Sequence, residues 1–128
     1  MPSKPHKKKT ARRATRPAAS ARRQSAATLR AALQLSREDF ARLSGFSVRK
    51  IADLEKGGDA KASTEQRLAE LRRLQQGLAR IMQADFVGEW LRTPNDAFDG
   101  LKPIEVIERG EVDRLWRMIY LLEAGISV

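Results

Sequence analysis

The stretch SREDFARLSGFSVRKIADLEKG, residues 36–57, decides how this chain folds. It holds two short apolar patterns of helical spacing with a glycine between them. Phe40 and Ala41 share the inner face of the first, and Ala41 is small enough for a second helix to cross closely. Gly45, four residues on, supplies the left-handed backbone that a tight turn between helices requires. Phe46 plugs the turn. Ile51, six residues past the glycine, and Leu54, three further, bury the inner face of the second helix. These constraints, met together, predict a helix-turn-helix with helices over 37–44 and 48–56, and Ser36 and Ser47 stand before them as N-caps.

Angular position separates scaffold from surface in the second helix. At about 100° per residue, Arg49, Asp53 and Lys56 lie opposite Ile51. Glu55 falls on the inner side, where a lone carboxylate is costly. Arg30, in a helix expected over 26–34, is its candidate partner, and the pair reads as scaffold.

Outward from this core, the N-terminal residues 1–24 are almost free of large apolar side chains and strongly basic. Such a segment cannot bury enough surface to offset its ordering entropy, so it is expected to be disordered alone. Two readings stand side by side: a solubilising tail, or an arm lying along DNA phosphates or in the minor groove.

On the other side, GGDAKA reads as a short link. Helices are then expected over 64–83, 85–92, 103–109 and 111–123, with Ser63 and Gln66 as a capping box for the first. Leu68, Leu71, Leu74, Leu78, Ile81 and Met82 form its apolar stripe. Trp90 and Leu91 anchor the next helix, which must stop before Pro94. Gly100 allows a reversal, Pro103 suits a first helical turn, and Gly125 suits a stop after the last helix. Arg92 and Asn95 are read as bridging or capping these turns. In the final helix Val112, Leu115, Trp116, Ile119 and Leu122 form one face, while Tyr120 and Leu121 point elsewhere. An apolar belt this wide on a small domain is expected to meet a partner. The fold class is all-α, with a disordered basic arm (1–24), a helix-turn-helix domain (25–62) and a second helical domain (63–128) for partner binding or dimerisation.

Composition narrows the chemistry. No cysteine is present and His6 is the single histidine, so thiolate and histidine metal sites and His-dependent triads are excluded. Scattered carboxylates such as Asp96, Asp99, Glu105 and Glu108 suit turns and solvated faces. The reading is a non-enzyme with no cofactor and no metal. No apolar run approaches the roughly 18 to 20 residues of a membrane span, and no signal-peptide h-region is present. A cytoplasmic location is expected, nucleoid-associated when DNA is bound. The charge of +9 is uneven: residues 1–30 carry ten basic and no acidic groups, while 84–128 carry five basic and nine acidic ones. The basic front suits phosphate and the acidic back a different partner.

Residues 29–57, LRAALQLSREDFARLSGFSVRKIADLEKG, resemble the Xre family of phage-repressor-like helix-turn-helix proteins, including the arginine and glutamate that pair there. The resemblance implies that Arg37 touches a phosphate and that Ser47, Val48, Arg49, Lys50 and Asp53 lie in or along the major groove of double-stranded operator DNA. Arg49 is the best match to guanine, whose two acceptors fit its fork, and Val48 to a thymine methyl. Lys50 and Lys56 suit phosphate. Homodimerisation is expected, since one recognition helix reads few base pairs.

Residues 90–125, WLRTPNDAFDGLKPIEVIERGEVDRLWRMIYLLEAG, resemble the toxin-binding domain of Xre/MbcA/ParS-type antitoxins. That resemblance implies a RES-domain toxin as partner, an enzyme that consumes NAD or uses it for ADP-ribosylation, with this domain covering its pocket and the helix-turn-helix repressing the shared operon. The expected toxin surface is Arg117, Tyr120, Leu121, Glu123 and the tail Ile126, Ser127 and Val128. Gly45, Trp90, Pro94, Gly100 and Pro103 are expected to be structural. The alternative is a stand-alone dimeric helix-turn-helix regulator without a toxin.

Overall fold

A computed structural model describes residues 26–126; the basic arm and the tail residues Ser127 and Val128 lie outside the described residues. Within them the architecture is helical throughout, without a strand. Helix α1 covers 26–33, α2 Arg37–Ser44 and α3 Val48–Glu55. Helix α4 (Ala62–Ala79) is followed by a 3-10 turn (Ala84–Phe86), α5 (Val87–Leu91), a second 3-10 turn (Asp96–Phe98), α6 (Pro103–Glu108) and α7 (Val112–Glu123).

The helix-turn-helix forms where its sequence requires it. The Ser36 hydroxyl accepts from the Asp39 N–H at 3.1 Å, and the Ser47 hydroxyl from the Lys50 N–H at 3.0 Å, so each helix has one of its free first-turn donors satisfied. Gly45 sits in the left-handed region at φ 79° and donates its N–H to Ala41 O, ending α2. Phe40, Leu43, Ile51 and Leu54 are buried.

The two segments on either side of residues 62 and 63 share one hydrophobic cluster, from Ala26 through Phe40 and Leu68 to Ile119. Helix α2 packs on both α4 and α6, and α4 packs on α7. Two glycines make close approaches between helices. A Cβ on Gly88 would lie 1.8 Å from the carbonyl oxygen of Leu33, so α5 rests directly on the end of α1. A Cβ on Gly77 would lie 3.0 Å from the Trp116 ring, so α4 offers that ring a seat.

Three local expectations are corrected. Helix α4 begins at Ala62, earlier than a Ser63 cap would allow, with Lys61 at the N-cap and no side-chain cap. Ser63 therefore lies inside the helix. The same helix ends at Ala79, where Arg80 and Ile81 donate to Gly77 O and Leu78 O in tighter three-residue turns. The chain turns there and brings Gly88 back against α1. In α7 the buried face is Leu115, Met118 and Ile119, whereas Leu122 is 40% exposed.

Candidate functional site

One end of the molecule presents α3. Ser47, Arg49, Asp53 and Lys56 are exposed, and Val48 is 40% exposed, on the side opposite buried Ile51 and Leu54. Behind this face lies a charge cluster. Glu55, with an 8% exposed side chain, receives Arg30 Nε at 2.6 Å and Arg30 Nη2 at 3.1 Å on its two carboxylate oxygens. Arg37 also donates to Glu55, through Nη2 at 2.8 Å and Nε at 3.1 Å. The hydrogen bond from Arg30 dominates in holding the Glu55 carboxyl below its ordinary range; burial opposes it and Arg37 adds to it. Arg30 is raised by the same bond. The sequence pattern points to the Arg30–Glu55 pair, and the resemblance implies a phosphate contact for Arg37; here its guanidinium is tied to the scaffold while its side chain stays 44% exposed.

Lys50 is likewise held from within. Its ammonium donates to Thr64 Oγ1 at 2.8 Å and lies 4.8 Å from the centroid of the Phe46 ring. Arg67, one turn along α4 from Thr64, donates to the carbonyls of Ser44 and Leu43 at 3.1 and 3.3 Å, satisfying acceptors that the end of α2 leaves free. Neither α4 residue is marked by an apolar pattern.

The C-terminal part is built on the segment from Trp90 to Pro103. Asn95 Oδ1 accepts from the Ala97 N–H at 2.9 Å, and its backbone exchanges hydrogen bonds with Leu101 and Gly100. Gly100 takes φ +83°, as the reversal requires. Pro94 is exposed, and Arg92 Nε donates back to Gly88 O at 3.2 Å. Phe98 is buried and meets Trp90 edge-on at 6.2 Å, with the Arg114 guanidinium 5.5 Å from its ring centroid. Pro103 opens α6, where the Glu105 carboxylate accepts from the Lys102 N–H at 2.9 Å. Phe98 is the anchor that the sequence reading passes over; its spacing from Trp90 follows no regular helical period, because a turn and a 3-10 segment separate them.

This platform carries α7. Tyr120 is 73% exposed, Ile126 51%, and Arg117 exposed; Leu121 is partly buried. Glu123 is exposed but bonded to Arg80 at 3.1 Å. The exposed Phe86 is a further large apolar side chain of this C-terminal half, and the sequence reading does not single it out. A separate groove of about 330 Å³ between α4, α6 and α7 is lined by Leu71, Leu74, Ile107, Val112 and Trp116 together with the charged Arg67, Glu70 and Arg73. Among the described residues, no group of three or more His, Cys, Asp and Glu is placed to hold a metal ion, and no helix is long and apolar enough to cross a membrane.

With that geometry in place, residues 81–124 match the family model of the antitoxin Xre/MbcA/ParS C-terminal toxin-binding domain. Over residues 81–124 the sequence is similar to that antitoxin toxin-binding domain. The match spans Trp90, the Asn95 turn, Gly100, Pro103 and all of α7, the residues on which the resemblance rests. The fold is also similar to a chain in the crystal structure of the M. tuberculosis MbcT–MbcA toxin–antitoxin complex, with a TM-score of 0.67, 24% identity, and coverage of 83% of this chain and 96% of that one. No curated protein sequence matches significantly. Within the matched residues, the turns and the Trp90–Phe98 contact are internal supports. Phe86, Tyr120 and Leu122 are their outward apolar groups, and Ile126 follows just beyond them.

Proposed function

We propose that this chain neutralises a toxin through its Xre/MbcA/ParS-type domain and represses its own operon through the helix-turn-helix. The partner is a RES-domain enzyme acting on NAD, whose active site the α7 end covers. Any NAD belongs to that enzyme; this chain acts without catalysis. The observation that carries the reading is Tyr120, almost three-quarters exposed on the matched domain, with Leu122 and Ile126 also exposed. A solvated tyrosine is the kind of anchor that protein interfaces use. The proposed toxin surface is Arg117, Tyr120, Leu121, Glu123 and Ile126, continued by the tail.

At the other end, Ser47, Val48, Arg49, Asp53 and Lys56 form the proposed groove-facing side of α3, with Arg37 beside it at the start of α2. Two copies are needed for an operator, because a single α3 spans few base pairs. Co-expression with the product of the adjacent gene tests the first half. The expected result is relief of that product's toxicity and a complex that co-purifies. A toxic neighbour that is neither bound nor neutralised refutes it. Burial of Tyr120 in a stable homodimer would favour the stand-alone regulator instead.

A further inference from the structure

We infer that Thr64 and Arg67, on one face of α4, are positioning residues that set the attitude of α3 toward DNA without touching it. The inference rests on the DNA-binding reading of α3. A recognition helix is useful only if its angle to the neighbouring helix is held, because base contacts tolerate little misplacement. Gly45 makes that angle possible but cannot hold it: nothing lies within 4 Å of where its side chain would be.

Helix α4 holds it from both sides of the turn. Arg67 reaches the last carbonyls of α2, and Thr64, almost fully buried, receives the Lys50 ammonium from the first turn of α3. Thr64 and Arg67 are three positions apart and so share a helix face. The Phe46 ring under the Lys50 ammonium closes the arrangement over the turn itself. Lys50, although it stands in the recognition helix, thereby directs its charge to α4 and away from phosphate.

The test measures binding of the full chain to a duplex selected by the wild-type protein from a random pool, and to an unselected duplex of equal length, over a salt series. Thr64→Val, Arg67→Gln and Lys50→Met are each expected to weaken binding to the selected duplex about tenfold. Binding to the unselected duplex and the slope of log K against log salt are expected to stay unchanged, because no phosphate contact is lost. The Lys50→Met/Thr64→Val double variant is expected to be no worse than the poorer single one, since both remove the same bond. Arg67→Lys serves as a milder probe if Arg67→Gln does not fold.

Unchanged affinity in folded Thr64→Val and Arg67→Lys proteins would overturn the inference. So would a slope shallower by about 0.9 in Lys50→Met, the mark of a direct phosphate contact. If the wild-type protein enriched no duplex at all, the DNA reading would fall, and this inference with it.

Discussion

Replacing Gly88 by alanine sets two physical effects of opposite sign against each other. Gly88 is the second residue of α5, and in a helix alanine is favoured over glycine by about 1 kcal/mol. Helix propensity alone therefore predicts a modest gain in stability. The tertiary structure predicts a loss. The new methyl group would stand 1.8 Å from the Leu33 carbonyl oxygen, against the roughly 3.4 Å at which carbon and oxygen touch. The obstacle is backbone at the end of α1 and cannot swing aside, so α5 must retreat by about 1.5 Å from a buried seat formed with Val87 and Leu91. Overpacking of this kind costs about 3 kcal/mol or more, leaving a net loss of about 2 kcal/mol. For a chain of this size that lowers the melting temperature by about 8 °C. Thermal unfolding followed by circular dichroism, at one protein concentration, reads the difference. Gly45→Ala is the control: it has open space but φ +79°, so only backbone strain of about 1 kcal/mol is expected. A Gly88→Ala protein that melts at or above the wild-type temperature would refute the close approach of α5 to α1.

Three further outcomes follow from the sites. Glu55→Gln is expected to lose about 2 kcal/mol at neutral pH, because two guanidiniums lose their shared carboxylate. Since the folded carboxyl is held below its ordinary value of 4.5, its contribution is complete above that pH and is lost as pH falls through the folded value. Urea midpoints of wild type and variant should converge on acidification, and parallel profiles would contradict the cluster. Arg49→Ala is expected to relax preference at one base step by about 1–3 kcal/mol while leaving the fold unchanged; equal losses on unrelated duplexes would make Arg49 a phosphate contact only. Tyr120→Ala should leave stability within about 0.5 kcal/mol and weaken the toxin complex by about 2 kcal/mol in calorimetry. Undiminished affinity would move the docking surface away from α7.

Much of this architecture can be read from residues 36–57 and 90–125 because their signals are local. A serine one position before a helix, a glycine at a left-handed turn and a proline opening a first turn act on the backbone within a few residues of themselves. Their placement therefore survives whatever packs around them. The Arg30–Glu55 pair is legible for a similar reason: helical phase puts Glu55 on the inner side, and burial then demands a cation. Arg37 escapes the same reasoning because one carboxylate accepts two guanidiniums, and nothing in the spacing shows that the second is recruited.

What the tertiary structure alone decides are contacts whose partners are distant along the chain and whose residue types are ordinary. Gly88 looks like a weak point in a short helix until Leu33 is placed against it. Thr64 and Arg67 look like solvated positions until α4 crosses the helix-turn-helix. The exchange of Met118 for Leu122 on the buried side of α7 has the same origin. Helical phase alone sets neither the exact orientation of a helix against its neighbours nor how far they extend along it. Periodicity names a face, but only packing sets its edges.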